Sequence, residues 1–140
     1  MKNLKVRLST PTVNHLELKE IKKIFNNSWL GYGPKVGKFE KAWCNYFNVK
    51  HSIGVNSCTA ALHLSLAVNK FKKNKKVLVP AMTFSASAAS VLYCGLKPVF
   101  VDVDPKTLVM SFEDLKKKYT KDCVAVIAVH FNGQPCEMEK

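Results

Sequence analysis

Arginine is nearly absent from this 140-residue sequence. Of 22 basic residues only Arg7 is an arginine, set against 10 acidic residues for a formal charge of +12. A basic excess of that size would suit a polyanion, because phosphate neutralisation dominates nucleic-acid affinity. Bidentate recognition of phosphates and base edges falls to arginine, however. Here the charge is lysine spread along the chain and clustered only at 70–76 and 116–118. Solvated lysine-rich faces are therefore expected, and nucleic acid is not an expected partner. Long hydrophobic runs are missing too, and every apolar stretch is broken well before bilayer-spanning length. The opening MKNLKVRLSTPTV has no apolar h-region and no small-residue cleavage site. No membrane partner and a cytoplasmic setting are expected. Five cysteines (Cys44, Cys58, Cys94, Cys123, Cys136) include no C-x-x-C pair. That argues against a disulfide framework and a thiolate zinc site, so no metal is expected. Cys44, Cys94 and Cys123 lie in apolar runs and read as small buried hydrophobes.

What is present is globular. Apolar residues make up 47% and aromatics 10%, with no internal repeat, and the length suits one core. Residues 14–26 place Leu18, Ile21 and Phe25 at helical spacing behind Asn14, an N-cap candidate with Glu17 three residues on. The glycine- and aromatic-rich stretch 28–37 reads as a loop, with Trp29 and Tyr32 as core anchors or a site lip. Pro34 can start a second helix, whose Val36, Phe39, Trp43, Tyr46 and Phe47 form one apolar stripe expected in the core.

From residue 51 strands and helices alternate. Strands are expected at 51–56, 77–80, 98–103 and 123–131, the last continuously apolar and so buried on both faces. Helices are expected after Asn56, over 85–94 and from Ser111, with Asp114 as a capping-box partner. The fold class is α/β, parallel strands alternating with helices. Residues 1–50 read as an N-terminal helical segment with an aromatic loop, and 51–140 as the α/β domain.

In such sheets ligands bind beyond the carboxyl ends of the strands. The turn Asn56-Ser57-Cys58-Thr59 is the most informative place. A strand ending there would meet a helix N-terminus offering unpaired amides, with Ser57 and Thr59 adding hydroxyls, which suits a phosphate. Ser57 or Thr59 as a plain N-cap is the competing reading.

Three runs then carry a resemblance: GYGPKVGKFEKAWCNYFNVKHSIGVNSCTAALHLSLAV, VLVPAMTFSASAASVLYCGLKPVFVDVDPKTL and AVIAVHFNGQP. In that order they resemble the start of the DegT/StrS-type nucleotide-sugar aminotransferases, pyridoxal-phosphate (PLP) enzymes of fold type I. The resemblance implies that 51–140 is part of the large PLP-binding domain. It implies that Ser57, Cys58 and Thr59 hold the cofactor phosphate, with Cys58 where glycine is commoner, and that Phe84 stacks on the pyridine ring. His130, Gly133 and Gln134 match a strand-end motif at the cofactor edge, while Asp102 and Asp104 match a D-V-D read as turn chemistry. Asn74-Lys75-Lys76 replaces the usual G-D-E in an expected surface turn. The family's cofactor lysine and its carboxylate at the pyridine nitrogen lie beyond HFNGQP, so no catalytic residue is nominated. The expectation is therefore the N-terminal part of an enzyme, inactive alone and unstable or self-associating. The whole would be a homodimer acting on nucleotide-sugar and amino-acid substrates, with glutamate as donor. A sugar dehydratase of the same family and a non-catalytic binding or dimerisation module are the alternatives. A Rossmann-type nucleotide domain is disfavoured, since no G-x-G-x-x-G is present.

Overall fold

The computed structural model describes residues 10–27 and 29–139; Arg7 and Ser28 lie outside the described residues. The chain divides into two units, Met1–Gly54 and Val55–Lys140. None of the described helices is long and apolar enough to cross a membrane.

The first unit is helical. Helix α1 (His15–Asn26) starts with the full capping box: Asn14 accepts from Leu16 N–H, and the Glu17 carboxylate takes the Asn14 amide at 2.7 Å. Two otherwise orphaned donors are satisfied by side chains three residues apart in one turn. On the outer face Glu20 bonds Lys23 at 2.5 Å and also Lys35. These bonds, Lys23 first, hold the Glu20 carboxyl down from its ordinary 4.5 to about 2. A depressed carboxylate stabilises above its unfolded value and loses that contribution as pH falls through the folded one. The link between α1 and Lys35 is therefore expected to weaken between pH 4.5 and 2. Because Glu20 is exposed, salt should shrink the effect. Amide chemical shifts around Lys35, titrated in wild type and Glu20→Gln, check this; identical profiles would refute it.

Pro34 does open the second helix, α2 (Pro34–Phe47), and Asn48 closes it in a left-handed conformation. The expectation that its aromatic stripe lies in the core is corrected. Phe39, Trp43, Tyr46 and Phe47 are all exposed, and none of the described residues of this unit is buried. The aromatics instead pack along their own helix, Phe39 on Trp43 and Trp43 on Phe47, with ring centroids 5.8 and 4.6 Å apart. Helical period defines a face, but it does not supply the layer that would cover it.

In the second unit α3 (Cys58–Ala67) leads to β1 (Lys76–Pro80), then α4 (Ala86–Tyr93), β2 (Lys97–Val101), α5 (Phe112–Lys118) and β3 (Cys123–Val126). The three strands pair in parallel in the order β2-β1-β3, with Lys76 opposite both Lys97 and Cys123. Central strand β1 is buried on both faces. Val77 and Val79 join Leu66, Val91 and Leu96 in one cluster, while Leu78, by strand alternation, faces the other side. The tight turn into β1 uses Asn74 at φ 64, whose amide bonds Gly95 O at 2.9 Å. Gly95 itself sits at φ 68, a conformation that costs a glycine little.

Four sequence expectations are corrected. Residues 51–56 are not a strand: Gly54 N–H donates to the Glu40 carboxylate at 2.7 Å instead of entering a ladder. The final strand ends at Val126 and is half-buried, because β3 lies at an edge of the described sheet rather than its centre. Cys44, Cys94 and Cys123 are half-buried rather than buried. Lys76 is no surface-turn residue; it begins β1, with its ammonium 3.3 Å from Asp122 and 3.2 Å from the Thr120 hydroxyl.

Candidate functional site

The carboxyl end of the sheet is followed by two of the candidate residues of the second unit: Phe84 comes after β1 there, and beyond β3 the chain runs on to His130. Leu66, near the end of α3, joins Val77, Val79, Val91 and Leu96 in the buried cluster, so the last turn of α3 belongs to the core.

Ser57 is the N-cap of α3, with extended backbone; its Oγ accepts from Ala60 N–H at 3.2 Å and donates to Asn56 Oδ1 at 3.3 Å. The capping reading of Ser57 is thus realised, and its hydroxyl is engaged. Cys58 and Thr59 occupy the first two helical positions, where amides have no intrahelical acceptor. No described residue accepts from either amide or bonds the Thr59 hydroxyl. Two amides and one hydroxyl at the positive end of a ten-residue helix are thus left for an anion. Cys58 is exposed and Thr59 half-buried.

Phe84 ends the turn after β1 with its ring 79% exposed, a costly placement for a side chain with nothing to cover. The turn is braced by a 2.8 Å bond between the Thr83 and Ser87 hydroxyls and by Ser87 N–H on Phe84 O at 3.0 Å. Beyond β3, His130 is exposed, and its Nδ1 accepts from the Cys136 amide at 3.0 Å. Gln134 goes elsewhere: it lines a cavity of about 370 Å³ with Asp104, Thr107, Ser111, Glu113 and Glu137. Ser57, Thr59, Phe84 and His130 do not line it.

The aspartates do turn work. Asp104 Oδ1 accepts from the amides of Thr107 and Lys106, which with Thr107 first holds its carboxyl below the usual range. Asp102 Oδ1 accepts from Val103 N–H, and Ser111 caps α5. The expected capping box at Ser111 is only half made: Asp114 turns away to the Asp102 amide at 2.7 Å and to Lys118.

The first unit holds a feature that spacing gave no sign of. Glu40 accepts from Gly54 N–H at 2.7 Å and from the Tyr32 hydroxyl at 2.6 Å. Those bonds, Gly54 first, lower the Glu40 carboxyl, while the Glu40 carboxylate raises the Tyr32 phenol. Trp29 Nε1 donates to Tyr32 O at 3.0 Å, and a Cβ on Gly33 would sit 2.5 Å from the Trp29 indole. Only glycine allows that closure. A cavity of about 440 Å³ beside it is lined by Trp29, Leu30, Pro34, Val36, Lys35 and Lys38 among others.

Solved structures share this fold. A putative sugar aminotransferase, Spr1654 from Streptococcus pneumoniae, solved in PLP, PMP and apo forms, superposes with a TM-score of 0.89. The two are 30% identical over 96% of this chain and 34% of that one. The Escherichia coli GDP-4-keto-6-deoxy-D-mannose-3-dehydratase with hydrated PLP gives 0.87 at 28% identity, over 94% and 36%. The parallel sheet and its helices are thus those of the fold type I PLP-dependent transferases. Residues 11–140 match the DegT/DnrJ/EryC1/StrS aminotransferase family, and the chain belongs to it. Relatives include the spore coat polysaccharide biosynthesis protein SpsC of Bacillus subtilis, 37% identical over 94% of this chain and 34% of its own length. The GDP-perosamine synthase of Caulobacter vibrioides is 35% identical over 96% and 37%. The chain therefore spans about a third of the length of the relatives it matches.

Proposed function

We propose that the chain supplies the phosphate-holding part of the cofactor site of a PLP-dependent aminotransferase. Its substrates would be a keto-sugar nucleotide and an amino donor, glutamate, handled by a cytoplasmic homodimer. The observation that carries this reading is the start of α3. There the Cys58 and Thr59 amides and the Thr59 hydroxyl are unengaged by described residues, at the first turn of a helix in the parallel-sheet unit. That donor set fits a phosphate monoester, and no carboxylate among the described residues bonds it. Bound there, PLP supplies an electron sink at the substrate carbon. The chain's own residues bind and orient: Thr59 with the two amides takes the phosphate, Ser57 holds the helix start, and Phe84 offers its flat exposed ring for stacking. His130 and Gln134 follow β3 on the same loop. Residues 51–140 then act as the cofactor-binding domain, following in sequence a helical segment over 1–50. The likeness to the dehydratase favours a second reading, the same cofactor site serving loss of a sugar hydroxyl instead of amino transfer.

The test uses pyridoxamine phosphate, whose amine cannot condense with surface lysines, against pyridoxamine lacking the phosphate. By calorimetry on the full chain, the phosphorylated form is expected to bind at least about tenfold tighter, with inorganic phosphate competing. Equal affinity of the two compounds would remove the reading.

A further inference from the structure

We infer that the backbone amide of Cys136 fixes His130 as a hydrogen-bond donor, one that presents Nε2–H to an anionic oxygen of a bound ligand. The ligand half of this inference rests on the cofactor-site reading above; the tautomer half does not.

A neutral imidazole has one donor and one acceptor nitrogen, and a bond made to one decides the other. Here the deciding partner is a backbone N–H, which can only donate. It meets His130 Nδ1 at 3.0 Å, so the ring proton resides on Nε2. No described residue bonds Nε2, and the ring is exposed.

The partner is held in place by the shape of the loop. Phe131 N–H bonds Val129 O at 2.9 Å, Gly133 N–H bonds His130 O at 3.1 Å, and Gln134 N–H bonds Phe131 O at 2.9 Å. Asn132 and Gly133 take φ of 52 and 82, turning the chain back on itself. The Cys136 thiol then donates to Val129 O at 3.2 Å. Cys136 thus grips the strand end twice, by its thiol on Val129 and by its amide on His130. A side chain held at one nitrogen in this way serves as a fixed donor, and its Nε2 is no proton acceptor while the ring is neutral.

The loop leaves β3 at the carboxyl end of the sheet, as does the turn carrying Phe84 after β1. The chemistry an Nε2–H donor recognises there is an oxygen anion. The phenolic oxygen that the cofactor's pyridine ring carries and the carboxylate of an amino-acid substrate both qualify.

The experiment is long-range proton–nitrogen NMR on the full chain at pH 8, with nitrogen-15 in its four histidines. His130 is expected as the Nε2–H tautomer in wild type and in Cys136→Ser, which keeps the amide. Cys136→Pro, which deletes it, should return the mixed tautomers of a free imidazole. An Nδ1–H tautomer in wild type overturns the inference without reference to any variant, and so does a folded Cys136→Pro protein with unchanged tautomers. Pyridoxamine phosphate and glutamate are then added separately, and the one that moves the His130 Nε2 resonance identifies the oxygen. His130→Phe should weaken that compound roughly three- to tenfold, while His130→Gln, which keeps an N–H donor, should hold affinity near wild type. If both compounds bind without moving His130, the donor role is overturned although the cofactor site stands. If wild type binds neither compound, the cofactor-site reading and the ligand half fall together, and the tautomer half is still decided by the spectra.

Discussion

Leu78→Ala is expected to lower the stability of the parallel-sheet unit by roughly 2–5 kcal/mol. Leu78 sits at the middle of the central strand with no exposed surface, opposite Val99 on one side and Val126 on the other. Its carbonyl takes Ile127 N–H at 2.9 Å, so the backbone around it is tied to both the strand and the segment beyond β3. Truncation leaves a void that bonded strands on either side cannot collapse into, and the cavity adds to the lost transfer energy. Val77 and Val79, which face the other side of the sheet, would keep their cluster with Leu66 and Val91. Leu92→Ala provides the contrast. That residue lies on α4 but is largely exposed, so its loss should stay within about 0.5 kcal/mol. Urea unfolding of the full chain measures both. Comparable losses for the two variants would mean that the sheet described here does not carry the core.

The sequence revealed features whose cause is local. Asn14 with Glu17 and Ser111 mark helix starts through bonds made within three residues, Pro34 marks one through its fixed φ, and all three starts are where the residues imply. The run Val77–Leu78–Val79 reads as a buried strand because nothing polar interrupts it, and it is the central strand. Features whose cause lies elsewhere in the chain were misread. Residues 51–56 have strand composition, but Gly54 spends its amide on Glu40, fourteen positions away in sequence. The apolar run after Cys123 looks like a central strand, yet centrality depends on neighbours, and β3 has only one among the described residues. The α2 stripe is real as a face; what covers it is not encoded in its period. At the candidate site the same division holds. A serine before an apolar helix announced a cap or an anion site, and the structure gives the cap to Ser57 and leaves Thr59 free. The grip of Cys136 on His130 uses a backbone amide, which every residue but proline has, so no residue type could signal it.

Thr59→Ala should weaken binding of pyridoxamine phosphate by about 1.5–3 kcal/mol, the worth of one hydrogen bond to a charged group. Ser57→Ala should act differently. The Ser57 hydroxyl already bridges Ala60 N–H and Asn56, so its removal strips the cap of α3 and costs about 1 kcal/mol of stability. Its effect on affinity should be the smaller of the two, since a phosphate must compete with Asn56 Oδ1 for that hydroxyl's one proton. Thr59, half-buried at the second helical position, contributes nothing to the cap, so Thr59→Ala should leave stability nearly unchanged. Alanine even favours the helix at that place. The two variants therefore separate along two axes, affinity for Thr59 and stability for Ser57. Thr59→Ser, which keeps the hydroxyl, should recover most of the lost affinity, while Thr59→Val, matched in shape, should not. Calorimetry for binding and urea unfolding for stability resolve the pattern. If Thr59→Val binds as tightly as wild type, the hydroxyl does not touch the phosphate, and the anion is held by the Cys58 and Thr59 amides alone.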